Sequence, residues 1–173
     1  MTAGHCVYDK THNYGWATAI TVIPCKTGSY APFGTATSAG LSTFTGWAIN
    51  GNNADDIGMV FLNREIGRST GWHGYATLND ADTNNVAITA YGYPADRDGG
   101  ENLYGCYGSV SGYTAYTLRT LTDWMGGQSG GAVLSRGALS GYLFGVISWE
   151  YSTYNQAVRI DWNKYNTIID WTN

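Results

Sequence analysis

The chain has 173 residues, a formal net charge of −4, and only 13% charged residues, against 43% hydrophobic ones. That length and composition suit one sizeable folded domain and exclude a disordered segment. The absence of any Lys/Arg run removes the electrostatic attraction on which nucleic-acid binding depends, and no apolar stretch approaches the roughly 20 residues needed to span a bilayer.

Twenty-four glycines and 14 tyrosines among many Thr and Ser favour short strands joined by tight turns, so an all-β protein is expected. Short apolar and aromatic stretches at 17–23, 44–49, 57–62, 86–93 and 113–118 predict strands, as do 131–134, 141–149 and 157–160 further on. The turn-rich segments 26–40, 50–54, 80–85 and 94–102 separate them, with no helical interval. The one predicted helix is the tail at 161–173. There Asp161 can cap, and Trp162, Tyr165, Ile168, Ile169 and Trp171 recur at helical spacing to dock one face. No fixed-period repeat appears, which argues against a propeller or solenoid.

Chemistry concentrates in three places. Gly126-Gly127-Gln128-Ser129-Gly130-Gly131 sets one serine in a glycine-rich turn, where a substrate backbone can approach closely. The main-chain N–H groups of Gly127 and Ser129 could there hold a developing oxyanion. A serine hydroxyl needs a base, and of His5, His12 and His73 only His5, in Thr2-Ala3-Gly4-His5-Cys6, has a recognisable context. Asp56, which abuts the apolar run 57–62, is the inward-pointing carboxylate that could orient it.

The order His5, Asp56, Ser129 is that of the chymotrypsin arrangement. Together with Gly71-Trp72-His73-Gly74-Tyr75, Tyr91-Gly92-Tyr93-Pro94 and Asp123 ahead of Gly127-Gln128-Ser129-Gly130, it resembles the trypsin-like serine peptidases, specifically the bacterial secreted glutamyl endopeptidase branch. The resemblance runs nearly end to end. It implies a chymotrypsin-like double antiparallel β-barrel with the first barrel incomplete and a C-terminal helix: 1–80 the remainder of the first barrel, 81–160 the second, 161–173 the helix. It implies Ser129 as nucleophile, His5 as base and then acid, Asp56 as its orienting partner, and Gly127 and Ser129 as the oxyanion hole.

The same resemblance makes 146–150 the strand that pairs with an extended peptide substrate, with Ser148 beside the buried carboxylate, Trp149 walling a subsite, and Glu150 adding negative charge at the pocket mouth. Ile147 stands where the glutamyl branch has a histidine for the substrate carboxylate, so a preference for Glu is not implied. Asp123 aligns with the carboxylate that gives trypsin its basic preference, and equally suits a turn-stabilising role.

No cofactor and no metal are expected; the loop 96–101 does not fit calcium-loop spacing. The expected partner is a peptide or protein substrate, with no nucleic acid and no membrane, and the expected protein is a secreted monomer. On the resemblance the chain begins after the first strands of the first barrel. Cys6, whose family counterpart pairs upstream, would then lack a partner, and this chain would be poorly active; whether Cys25 and Cys106 pair is open. The competing reading is a non-catalytic β-rich binding module or inactive peptidase relative.

Overall fold

In the computed structural model, which describes residues 1–173, the first half of the chain alternates short elements with loops. A single helical turn, α1 (Gly4–Val7), leads into the ribbon of β1 (Tyr8–Asp9) and β2 (Gly15–Trp16). Next come β3 (Thr21–Val22), β4 (Ala36–Thr43), α2 (Thr45–Asn50), a 3-10 turn at Asn53–Asp55, and β5 (Gly58–Leu62). Two one-turn helices, α3 (Gly67–Thr70) and α4 (Asp80–Thr83), precede the second half. There β6 (Ala87–Gly92), β7 (Tyr104–Tyr113), β8 (Thr117–Thr120), β9 (Ala132–Ser135), β10 (Leu143–Glu150) and β11 (Asn155–Arg159) run into the terminal helix α5 (Trp162–Thr172), with a 3-10 turn at Asp98–Gly100 between β6 and β7.

The six strands β10-β11-β8-β7-β6-β9 close into one antiparallel barrel, whereas β3-β4-β5 form an open sheet of three. An all-β fold with one complete barrel, an incomplete second set of strands and a C-terminal helix is what the sequence led us to expect. The barrel interior is filled by inward residues such as Ile88, Val110, Val133 and Phe144, each at most 1% exposed. Burying each of these large side chains contributes about 1.5–3 kcal/mol. A second cluster, with Phe44, Ile57, Val146, Ile160 and Ile168, joins the open sheet to the barrel through α5.

Several elements differ from the sequence reading. Residues 45–49 fall in helix α2, with Phe44 as its extended N-cap, rather than in a strand. Phe44 and Trp47, one turn apart, are both buried while Ile49 is exposed, and Gly51 at φ 65 ends the helix with its N–H on the carbonyls of Gly46 and Trp47. The segment 113–118 is split by a hairpin turn: Tyr113 ends β7 and Thr117–Leu118 open β8, while Thr114 Oγ1 accepts from the N–H groups of Tyr116 and Thr117 in the turn between them. Of 17–23 only Thr21–Val22 pairs as strand; Trp16 belongs to the ribbon, and Ile20 N–H is taken by Ser38 Oγ at 3.0 Å. Strand β4 crosses the supposed turn region 26–40, and β7 begins well before 113.

Helix α5 is capped as expected, Asp161 accepting from Lys164 N–H at 2.9 Å. Its docked face differs by one residue type: Trp162 points to solvent and Lys164 is 1% exposed, its Nζ 2.5 Å from Asp161 Oδ2. The aliphatic stem of Lys164 covers apolar surface while the capping carboxylate meets its charge. Cys6, Cys25 and Cys106 are all unpaired. No helix is long and apolar enough to cross a membrane.

Candidate active site

His5 sits in α1, and Asp56 follows the 3-10 turn that delivers the chain into β5. The two meet at two points: His5 Nδ1 is 2.8 Å from Asp56 Oδ2, and His5 N–H donates to Oδ1 at 2.7 Å. A third donor, Ser148 Oγ–H, reaches Oδ2 at 2.6 Å. Asp56 is fully buried; three donors on one carboxylate are what make a charge tolerable there. The approach needs Gly4, because a Cβ there would lie 2.8 Å from Thr43 Oγ1 and 3.0 Å from Asp56 Oδ1.

Ser148 reaches Asp56 because β10 is irregular at that residue. Ile147 pairs with Ala157 and Trp149 with Gln156, so Ser148 is the extra residue of a bulge, a device that re-aims a side chain. The imidazole of His5 is flanked by Trp47, edge-on at 6.2 Å, and Trp149 at 5.8 Å. Burial by itself lowers the pKa of His5. The hydrogen bonds and charges of Asp56, with a further contribution from Cys6, outweigh it and raise the value from 6.5 to about 10.

Ser129 lies in a loop whose backbone N–H groups are tied at four of the six residues 126–131. Gly126 N–H donates to Glu150 Oε2 at 3.2 Å, Gln128 N–H to Met125 O, Gly130 N–H to Ile147 O, and Gly131 N–H to Gln128 O. Gln128 is buried, its Oε1 accepting from Met125 N–H at 2.7 Å. The N–H groups of Gly127 and Ser129 are the exceptions, donating to no protein acceptor. Gly127 adopts φ 95, a conformation that favours glycine. Donors fixed by a rigid loop and left free are suited to a developing negative charge.

Ser129 and His5 line one cleft of about 490 Å³, with Ser148, Trp149, Glu150 and Gly126 on the barrel side. Both side chains line the cleft, with Cys6 beside them, its Sγ 3.9 Å from Ser129 O. Beyond Ile147, whose N–H donates to Gly131 O at 2.9 Å and whose carbonyl accepts from Gly130 N–H at 2.8 Å, strand β10 has no partner on the β9 side. Asp123 is not brought there: its side chain is 74% exposed, 3.9 Å from Arg97 Nη2, and lines other cavities.

The cleft is also lined by residues the sequence did not assign to the site: Asp9 at the end of β1, and Thr11 and His12 from the turn between β1 and β2. His12 meets Asp9 twice, by its N–H at 2.8 Å and its Nδ1 at 3.0 Å. Their separation of three residues is a common turn spacing, and only the ribbon's placement brings them to the cleft.

The fold places this chain in the chymotrypsin-like class. The trypsin family's model matches residues 1–171, and the chain belongs to that family. It is 32% identical over 174 residues to the protein named extracellular metalloprotease of Bacillus subtilis (strain 168), covering 100% of this chain and 55% of that protein. It is 29% identical over 180 residues to the glutamyl endopeptidase of Bacillus licheniformis, covering 99% of this chain and 56% of that one. The chain thus spans about half the length of these two relatives. A solved Glu endopeptidase in complex with MPD superposes with a TM-score of 0.89 at 24% identity, covering 98% of this chain and 79% of that one, a likeness of fold. The residues do not fit the metal that the first of these names implies, since no three His, Cys, Asp or Glu side chains converge to ligate an ion.

Proposed function

We propose that this chain is a serine endopeptidase that cleaves extended peptides through an acyl-enzyme on Ser129. The observation that carries it is the doubly held His5–Asp56 pair facing the cleft that Ser129 also lines. Ser129 Oγ attacks the scissile carbonyl carbon as His5 Nε2 takes its proton, and the oxyanion is held by the N–H groups of Gly127 and Ser129. Collapse expels the amine, which leaves with the proton from His5; water then repeats the sequence and releases the acid. Asp56 keeps its negative charge, fixes the imidazole tautomer and stabilises the imidazolium. The free edge of β10 at Ser148 to Glu150 pairs with the substrate backbone, and Trp149 walls a subsite.

On this reading residues 1–80 and 81–160 are the two units on either side of the cleft, with 161–173 as the closing helix, and the protein acts as a secreted monomer. Secretion is supported by the extracellular designation of the Bacillus subtilis relative. A fluorophosphonate probe tests the assignment: it should label the wild-type chain and not Ser129→Ala. Labelling that is absent, or indifferent to Ser129, abandons the enzyme for a non-catalytic binding module.

A further inference from the structure

A second cavity, of about 250 Å³, adjoins the cleft and shares Glu150 with it. Trp124 and Asn155 line it, 2% and 9% exposed, and each keeps a buried polar atom without a partner: Trp124 Nε1 and Asn155 Oδ1. The orientation of Asn155 is fixed, because its Nδ2 donates to Thr122 O at 2.9 Å and to Trp124 O at 3.1 Å. Its oxygen therefore remains an acceptor. A buried polar atom left unpaired in a cavity wall is costly unless a ligand meets it.

Glu150 stands where the two cavities join. Its Oε2 is held by Gly126 N–H, three residues before Ser129, and its Oε1 has no protein donor. No Lys or Arg lines either cavity. The histidines of the cleft, His5 and His12, are already matched to Asp56 and Asp9. An acidic substrate side chain could accept from Trp124 Nε1–H but would meet the carboxylates of Glu150 and Asp123 with no lining cation to offset them, whereas an ammonium or guanidinium brings donors to both Glu150 and Asn155 Oδ1.

We infer that Glu150 is a specificity-determining residue that directs the enzyme to peptides with Lys or Arg beside the scissile bond, the basic side chain passing Glu150 toward Asn155. The inference rests on the serine-endopeptidase assignment and runs against the preference that the name of the Bacillus licheniformis relative suggests. Asp123 also lines the second cavity, but its exposed carboxylate lies 3.9 Å from Arg97 Nη2 and does not reach the cleft, so the role falls to Glu150, which both cavities share.

Peptidyl phosphonates bearing Lys, Leu or Glu at the phosphorus-linked position, which react once with a nucleophilic serine, test it on the whole chain. Labelling of Ser129 is expected to run Lys over Leu over Glu. In Glu150→Gln, which keeps an acceptor for Gly126 N–H, the Lys-to-Leu ratio should fall roughly fivefold, the scale of one solvent-accessible charge pair. A Glu preference in the wild-type chain, a ratio unmoved by Glu150→Gln, or a ratio lost in Asp123→Asn alone overturns the inference while leaving the serine nucleophile standing. Failure of every phosphonate and of the simple fluorophosphonate removes both.

Discussion

His5 and Asp56 are joined twice by one carboxylate, Oδ2 to the ring Nδ1 at 2.8 Å and Oδ1 to the backbone N–H at 2.7 Å. The carboxylate thus fixes the position of α1 and the tautomer of the imidazole together. An amide offers one acceptor where the site presents three donors.

Asp56→Asn is therefore expected to abolish useful turnover with little change of backbone. Its oxygen can accept from His5 N–H, but its NH₂ then faces Nδ1 and forces the proton onto Nε2, the nitrogen that must act as base. The expected loss in kcat is about 10⁴-fold, the scale known for the wrong tautomer in such triads. Steady-state kinetics on a peptide substrate checks this; a variant within tenfold of wild type would contradict it.

The raised pKa of His5 sets a pH dependence with a definite sign. Only the neutral imidazole can accept the Ser129 proton, so kcat/KM should rise with pH along a limb lying above the ordinary histidine value of 6.5 and below about 10. For stability the direction is opposite. A folded pKa above the unfolded one stabilises the protein fully below 6.5, and the benefit fades as pH rises toward about 10. An NMR titration of the His5 ring with a midpoint at or below 6.5 would contradict both statements.

What the sequence made legible was chemistry with a strong local context. Ser129 announces itself by the glycines around it, and Asp56 by the apolar run that becomes β5. Order along the chain then linked them to His5. Residues 44–49 read as a strand because Trp47 and Ile49, two apart, mimic alternation, whereas the buried pair is Phe44 and Trp47 at helical spacing, with left-handed Gly51 ending the helix. Strand β4 was missed because Ala, Thr, Ser and Gly carry little apolar pattern; its register is set by β3 and β5 on either side. The Asp9–His12 wall and the outward placement of Asp123 depend on how loops meet across the molecule, which local spacing does not encode. The exposure of Trp162 and burial of Lys164 run against hydropathy, and the buried charge is met by Asp161 Oδ2 at 2.5 Å.

Ser148→Ala should separate support of the carboxylate from orientation of the base. It removes the 2.6 Å hydrogen bond to Oδ2 and leaves both contacts from His5. Because Asp56 is fully buried, the lost donor is expected to cost about 1–3 kcal/mol in urea unfolding. Turnover should fall far less than in Asp56→Asn. An unchanged urea midpoint would mean that water replaces Ser148 at the bulge.

Gly127→Ala tests the loop that frames the oxyanion site. At φ 95 an alanine is strained, and its Cβ would lie 2.8 Å from both Ala95 N and Tyr93 O, backbone atoms that cannot swing aside. The strain should destabilise the fold by about 1–3 kcal/mol. Relieving it by rotating the peptide re-aims the free N–H of residue 127, which, if that amide holds the oxyanion as proposed, should lower kcat by about 10²–10³-fold. Gly126→Ala is the matched control for the stability loss, since a Cβ at Gly126 meets nothing within 4 Å; its unfolding midpoint should stay within about 0.5 kcal/mol of wild type. If the two variants unfold alike and Gly127→Ala retains full turnover, the amide of residue 127 is not the oxyanion donor, and the negative charge must be held from elsewhere in the loop.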